Sequence, residues 1–267
     1  MTLAIAGFYL WSNFQVADQW SSAELDQINS LWIENLPESP PKDPTNLVAD
    51  GKEAQKLGHR LFFDQRLSSN GEVSCATCHE PKLAFTDGLK TSRAIGISAR
   101  NAPSLIGVSY SPWLYWDGRK DSQWSQALSP LEDQAEHGGN RMFYAKLILR
   151  DPDYRNSYQA IFGTIPDITD GERFPDMYGP FKTQGNQALW TGMAKSDRFT
   201  INEVFANLGK SLAAYQRLLQ PGASRFDEYV KSLNSNQKDD SSNILTSQEK
   251  QGLKLFIGKA NCTNCHN

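Results

Sequence analysis

The sequence predicts a mainly α-helical protein, built as two small helical units joined by long loops. Three observations lead there. Apolar residues recur at helical spacing in several stretches. Two of those stretches open with a Ser/Thr-x-x-Glu capping box, in which side chains satisfy the free N–H groups of a helix start. One short pattern also occurs twice: Leu-Phe at a helix end, followed by Cys-x-x-Cys-His.

The elements follow in chain order. LAIAGFYLW (3–11) is an apolar run, too short to cross a bilayer, which takes about 20 apolar residues. It matches the core of an export signal or the end of a membrane anchor. No Lys or Arg precedes it, and no A-x-A-like cleavage site follows; a buried N-terminal helix turn is the alternative. Residues 1–20 are expected to be a signal or anchor remnant. Ser21 and Glu24 then start a helix carrying Leu25, Ile28, Leu31 and Trp32. LPESPPKDP (36–44) ends it as a stiff linker. A second helix is expected from near Asp50, with Ala54, Leu57, Leu61 and Phe62. The turn SSNGEVS (68–74) leads into the first cysteine motif. Residues 86–118 read as loop and NRMFYAKLIL (140–149) as helix. Residues 163–200 are rich in Gly, Pro and Asp, with weak periodicity, and read as an insertion or long loop. INEVFANLGKSLAAYQRLL (201–219) is strongly helical, with Val204, Phe205, Leu208, Leu212, Tyr215 and Leu219 on one face. Thr246 and Glu249 open a last helix carrying Leu253 and Phe256.

The chain has 267 residues, 39% hydrophobic and 11% aromatic, enough for one large domain or two small ones. The net charge is −3 and no Lys/Arg run stands out, so no nucleic-acid partner is expected.

The four cysteines are more informative. Cys75 and Cys78 precede His79; Cys262 and Cys265 precede His266; none is left over. Cysteines three apart on a turn present both sulfurs to one side, where they can add to the two vinyl groups of haem, while the adjacent histidine offers Nε2 to the iron. Half a zinc site or a redox disulfide are the other readings. A shared Cys₄ zinc site leaves both histidines unexplained, and a thioredoxin-like motif needs a βαβ context that is not visible. The preferred reading is two covalently bound haem c groups. It makes the two units cytochrome c-like haem domains, and it implies export, in a Gram-negative cell to the periplasm. The expected division is 21–200 for the first haem domain and 201–267 for the start of a second, incomplete one. LGHRLFF (57–63) precedes the first motif and GLKLFIG (252–258) the second, a weak internal repeat.

Longer motifs carry a resemblance. LGHRLFFDQRLSSNGEVSCATCHEPKLAFTDG (57–88), RNAPSL (100–105) and WDGRKDSQWSQALSPLEDQAEHGG (116–139) occur in order. From about residue 50 to its end the chain resembles the bacterial di-haem cytochrome c peroxidase family, whose superfamily includes the MauG-type methylamine-utilisation oxidases. The resemblance implies a peroxidatic haem on Cys75, Cys78 and His79, and an electron-storing haem on Cys262, Cys265 and His266. It implies Trp116 as the tryptophan between the haems, Gln126 and Glu136 as distal residues over the first haem, and Asn101 at a calcium site between the domains. It further implies hydrogen peroxide as substrate and a small c-type cytochrome or cupredoxin as electron donor; a homodimer is also expected, and the apolar run at 3–11 leads to the expectation of an anchor to the inner membrane.

Elementary chemistry agrees with these roles. Peroxide cleavage needs a proton moved from one oxygen to the other, and one carboxylate can do both steps, an effect typically worth about 10² to 10⁴ in rate. Gln126 can donate and accept, so it can hold peroxide in line. Trp116 offers an indole for electron passage. Taken alone, the same residues have plainer readings: Trp116 as core, with Trp113 and Trp124 close by, Gln126 as surface, Glu136 as a solvated loop acid. Asp117 and Arg119 read as structural or propionate partners, His59 as exposed or capping on a helix, and His137 has no assigned role.

Two features depart from the family pattern. Many relatives carry a histidine between the first haem motif and NAPS that blocks the iron until reduction; GLKTSRAIGISAR (88–100) has none. An open or water-filled sixth position in the ferric state is therefore expected. The chain also ends one residue after His266, and Met1, Met142, Met177 and Met193 all lie upstream. The expectation is a C-terminally truncated chain, lacking the methionine or, in the MauG type, the tyrosine that would complete the second haem. Peroxide reduction is the leading activity. The alternatives are MauG-like oxidation of a partner protein and a non-catalytic electron-transfer multihaem cytochrome; carbon monoxide or cyanide binding separates the last from the other two.

Overall fold

A computed structural model describes residues 20–176, 179–180, 187–235 and 244–266. Among them the regular structure is helical: α1 (Ser22–Ser30), α2 (Lys52–Phe63), α3 (Cys75–Cys78), α4 (Gln123–Glu132), α5 (Arg141–Arg150), α6 (Pro152–Phe162), α7 (Gln187–Gly192), α8 (Lys195–Gln216), α9 (Arg225–Asn234) and α10 (Ser247–Ile257). No strand forms among the described residues. Three isolated bridges, Glu80–Thr86, Arg93–Ile97 and Leu114–Lys120, pinch the long loops. The chain divides into two compact units, Ser39–Pro221, and Met1–Glu38 with Gly222–Asn267.

The larger unit is organised around α8, which packs against α2, α4 and α5. Its apolar face buries Ile201, Val204, Phe205, Leu208 and Leu212 among Leu57, Leu61, Phe62, Leu131, Met142 and Tyr144. Two glycines set the spacing. A Cβ on Gly58 of α2 would lie 1.9 Å from the Ser211 carbonyl oxygen of α8. A Cβ on Gly209 of α8 would lie 2.5 Å from the Trp124 carbonyl oxygen of α4. Both helices approach α8 backbone to backbone, which no other residue type allows.

The smaller unit buries Ile28 of α1, Val230 of α9 and Ile257 of α10, surrounded by Trp20, Trp32, Phe226 and Phe256. The indole N–H of Trp20 donates to the Tyr229 hydroxyl (2.7 Å), and the Ile33 N–H to the Asp227 carboxylate (2.9 Å). The expected capping boxes of α1 and α10 are both present, and Ser224 with Asp227 adds a third on α9.

The structure departs from the sequence reading at several points. The expected boundary between residues 200 and 201 falls inside α8, and residues 21–38 join the unit of the second cysteine motif. Long-range burial, not chain order, groups them. Within 163–200 the described residues include α7 and the start of α8, and Ile168, Phe174 and Trp190 are buried. These apolar residues are irregularly spaced, so they show no period, yet they reach the core. Helices α4, α6 and α9 were not anticipated. For α6 the signal was legible: Asp151 accepts from the N–H groups of Asp153 (2.9 Å) and Tyr154 (3.1 Å), with Pro152 at the first helical position. The expected signal or anchor segment lies outside the described residues, Trp20 excepted. Among the described residues no helix is long and apolar enough to cross a membrane.

The glycine contact at α8 is testable. Gly58→Ala is expected to lower stability by about 3 kcal/mol through overpacking. Gly171→Ala, with open space around it, should shift the urea unfolding midpoint of the same protein hardly at all.

Candidate functional site

The first cysteine motif is one turn of helix. Ser74 and Thr77 form a reciprocal cap, which starts α3 directly after the turn at 68–74. Cys75 and Cys78 bracket the turn, and the His79 N–H donates to the Cys75 carbonyl oxygen (2.9 Å). The chain then leaves the helix, and Glu80–Thr86 closes on itself: the Phe85 N–H donates to Glu80 (2.9 Å) and the Glu80 N–H to Thr86 (3.2 Å). Ala84 and Phe85 both adopt left-handed backbone, φ +55° and +58°, uncommon for non-glycine residues. The result aims the Phe85 carbonyl oxygen at His79 Nδ1, 2.8 Å away. Nδ1–H is thereby the donor and Nε2 keeps its lone pair, the tautomer a metal-ligating histidine needs. Burial also pushes the His79 pKa down, favouring neutral imidazole.

Both thiols are free. Burial pushes Cys75 up to about 12 and Cys78 up to about 11. A redox Cys-x-x-Cys works the other way, with a depressed thiol pKa, so that reading loses its support. Among the described residues no group of three or more His, Cys, Asp or Glu side chains converges as a metal site.

Cys75, Cys78 and His79 line a cavity whose opposite wall comes from α4 and the loop after it, with Gln126, Glu136 and His137. The cavity is a cleft partly open to solvent. Two thiols on one turn, beside a histidine whose Nδ1–H is held by a carbonyl, are the donor set that would hold a covalently tethered haem. A larger groove along α4 and α8 holds no thiol and no histidine, so the chemistry points to the smaller cavity.

The loop carrying Glu136 is fastened on three sides. The His137 N–H donates to Pro130 (3.2 Å), the Ser69 N–H to His137 (2.8 Å), and the Gly96 N–H to Ala135 (2.8 Å). His137 is buried, with Nδ1 at 3.1 Å from the Leu67 carbonyl oxygen and Nε2 at 4.0 Å from Cys75 Sγ. Burial pushes its pKa down to about 4, so it is neutral near pH 7. The same burial, helped by the charge of Asp133 and opposed by Arg119, pushes Glu136 up to about 7.

Tyr115 stands behind this wall. Its backbone is left-handed, φ +69°, and the Arg119 guanidinium lies 3.4 Å from its ring centroid. Burial raises the pKa of its hydroxyl. The neighbouring Trp116 is 61% exposed, and its indole N–H donates to the Asn101 carbonyl oxygen (3.3 Å). Arg100 and Arg119 both pair with Asp117 (3.1 and 2.7 Å).

The second motif repeats the first locally. The His266 N–H donates to the Cys262 carbonyl oxygen (3.0 Å), as His79 does to Cys75. Phe256 lies 6.2 Å from the His266 ring at 45°, and Phe62 lies 6.5 Å from the His79 ring at 43°. The Leu-Phe of the sequence repeat thus supplies a tilted aromatic neighbour for each histidine. Cys262 is half-buried, while Cys265 and His266 are exposed.

Of the expected site residues, the structure brings Cys75, Cys78, His79, Gln126 and Glu136 to one cavity. Trp116 and Asn101 lie together away from its lining, and Trp116 is not a core residue. Glu136 is half-buried rather than fully solvated. His59 is exposed on α2, as expected. His137 and Tyr115 had no assigned role; nothing local in the sequence distinguishes Tyr115 from the aromatics flanking it.

A helical fold that places two thiols and a histidine on one cavity matches the attachment chemistry of a c-type haem, and comparison with known proteins narrows the class. A family model, di-haem cytochrome c peroxidase, matches residues 52–235. The methylamine utilization protein MauG of Methylorubrum extorquens is 30% identical over 86% of this chain and 53% of its own length. The cytochrome c551 peroxidase of Nitrosomonas europaea is 28% identical over 87% of this chain and 56% of its own. Among solved structures, the di-haem peroxidase BthA of Burkholderia thailandensis matches with a TM-score of 0.57 and 26% identity, over 85% of this chain and 50% of its own. The chain belongs to the di-haem cytochrome c peroxidase family, a family of haem-dependent oxidoreductases. It spans about half the length of the curated relatives it matches.

The raised pKa of Glu136 predicts a stability signature. The folded state holds its proton up to about pH 7, against an ordinary value of 4.5. The stabilisation of the protonated form is complete below about pH 4.5 and is lost as pH rises through 7. Glu136→Gln removes that dependence. At pH 8 the variant should be more stable than the parent by up to ~3 kcal/mol, and at pH 4 the two should unfold at the same urea concentration.

Proposed function

We propose that the larger unit reduces hydrogen peroxide to water at a haem tethered through Cys75 and Cys78 and ligated by His79. The observation that carries the reading is the convergence of Glu136 and Gln126 on the cavity that both thiols and His79 line. Haem, when bound, supplies the iron and the redox equivalents. The remaining work falls to side chains of this chain. His79 presents Nε2 because Phe85 holds Nδ1–H. Gln126 binds the peroxide and holds it in line. Glu136 takes the proton from one peroxide oxygen and delivers it to the other. A carboxylate pushed up to about 7 exchanges a proton readily in both directions near neutral pH. Electrons come from a small periplasmic c-type cytochrome or cupredoxin, by way of a second haem on Cys262, Cys265 and His266. Trp116 is the proposed relay, an exposed indole on the turn that also carries Tyr115.

A second reading has one specific support, the 30% identity to MauG. In it the same site oxidises a partner protein, and Glu136 and Gln126 keep their roles. Turnover of reduced cytochrome c with peroxide separates the two. A plain electron-transfer cytochrome has no use for a half-buried carboxylate on the wall of its haem cavity.

Glu136→Ala is expected to lower peroxide turnover by about 10² to 10⁴ with haem content unchanged. Full activity in that variant would overturn the assignment. The loop at 88–100 holds no histidine, and His137 is occupied by Leu67 and Cys75. The protein as isolated, fully ferric, should therefore bind cyanide at one haem without prior reduction; a purely low-spin bis-histidine spectrum that cyanide leaves unchanged would contradict this.

A further inference from the structure

The carbonyl that holds His79 belongs to a strained stretch of chain. Ala84 and Phe85 are, among the described residues, the one consecutive pair of non-glycine residues with left-handed backbone, φ +55° and +58°. L-residues enter that region rarely, and then as single residues. Strain of this kind persists only where the surroundings enforce it, and it concentrates at functional sites. The enforcement comes from residues 102–106. The Ser104 hydroxyl donates to the Ala84 carbonyl oxygen (2.5 Å). Its oxygen also accepts from the Ile106 N–H (3.1 Å), which fixes the hydroxyl against its own segment. The Thr86 hydroxyl donates to the Ala102 carbonyl oxygen (2.7 Å). From the other side, the Phe85 N–H donates to the Glu80 carbonyl oxygen (2.9 Å), and the Phe85 ring meets that of Phe62 edge-on, with centroids 6.0 Å apart. The Ala84 carbonyl belongs to the peptide before Phe85, and Thr86 follows the peptide after it. The two hydroxyl bonds therefore clamp the chain on both sides of one carbonyl, that of Phe85. This is the carbonyl that accepts Nδ1–H of His79 at 2.8 Å.

We propose that Ser104 is a positioning residue for the His79 ligand: by clamping the Ala84–Phe85 peptide it keeps the Phe85 carbonyl on Nδ1–H, and so lowers the reduction potential of the first haem. The inference rests on the functional reading above, in which His79 ligates that haem. A hydrogen bond accepted from the far nitrogen of a ligating imidazole fixes the ring and makes it a more basic ligand. A more basic ligand stabilises ferric iron over ferrous, and hydrogen bonding behind the axial ligand is one of the protein's levers on a haem potential. The bond to His79 depends on a carbonyl direction that Ala84 and Phe85 do not favour by themselves. Without the Ser104 hydroxyl the Ala84–Phe85 peptide is free to leave the left-handed region. The Phe85 carbonyl then turns off Nδ1–H, the imidazole becomes a weaker donor, and the ferrous form gains. Ser104 touches neither peroxide nor haem; its effect passes through one peptide plane.

The test uses the haem-loaded protein and two readouts, the iron–histidine stretching band in resonance Raman spectra of the reduced form and the midpoint potential from a spectroelectrochemical titration. The band that His79→Ala abolishes is the one followed; if no band is lost in that variant, His79 is not the ligand and the proposal falls with it. Ser104→Ala removes one exposed hydroxyl and should leave the fold intact. It should move the band to lower frequency. It should also shift the ferric–ferrous equilibrium about three- to tenfold toward ferrous, the worth of one hydrogen bond, which is ~30 to 60 mV upward at 59 mV per tenfold. Thr86→Val should shift both readouts in the same direction. Ser104→Thr keeps the hydroxyl and should restore the parental band. Ser111→Ala is the control: its hydroxyl donates to the Trp113 carbonyl oxygen (2.7 Å), in a loop with no bond to residues 84–86, and its loss should leave the band in place. An unchanged band in Ser104→Ala overturns the proposal, whatever the potential does. So does an equal shift in Ser111→Ala, because any lost loop contact would then serve. Neither readout requires turnover. A parent protein that shows the band but does not reduce peroxide would refute peroxide reduction and leave the Ser104 effect still measurable.

Discussion

The backbone contacts along α8 are the constraint on which the larger unit depends. Gly58 lets α2 settle on Ser211, and Gly209 lets α8 settle on Trp124. These two contacts fix α2 and α4 against one helix. α2 ends at Phe62 and Phe63 and leads through a short turn into α3 with its thiols. α4 carries Gln126 and leads into the loop with Glu136 and His137. The opposing walls of the cavity are therefore spaced by two glycines, neither of which touches the cavity. A displacement of α2 of the size a Cβ would demand would move Cys75 and His79 relative to Glu136.

Burial acts in opposite senses on two adjacent residues. It raises Glu136 to about 7 and lowers His137 to about 4, in each case by disfavouring the charged form. The carboxylate becomes an acid–base group near neutrality, and the imidazole becomes a permanently neutral strut between Leu67 and Cys75. The same effect keeps the thiols protonated, which suits addition to a vinyl group and not disulfide exchange. Partial burial at one cavity accounts for all three behaviours.

The two cysteine motifs share their turn, their histidine-to-cysteine backbone bond and their tilted phenylalanine. They differ in what surrounds them. In the larger unit the turn lies against a wall with a carboxylate and an amide. In the smaller unit Cys265 and His266 are exposed.

Local interactions made much of this protein legible in its sequence. The haem motifs, the capping boxes at Ser21 and Thr246, the helix from near Asp50 and the long helix through residue 216 depend on residues within about four positions of one another. The family resemblance then picked out Gln126 and Glu136 before any contact was known. Tertiary structure alone decided the rest. It grouped residues 21–38 with the second motif, because Ile28, Val230 and Ile257 bury one another across more than two hundred positions of chain. It buried Ile168, Phe174 and Trp190, which no period announces. It turned Tyr115 inward and left Trp113 and Trp116 outside, a choice made by a strained turn and a guanidinium four residues on. It also set the charge states of Glu136 and His137, because protonation answers to the solvent that distant segments exclude, and no string of neighbours in sequence carries that information.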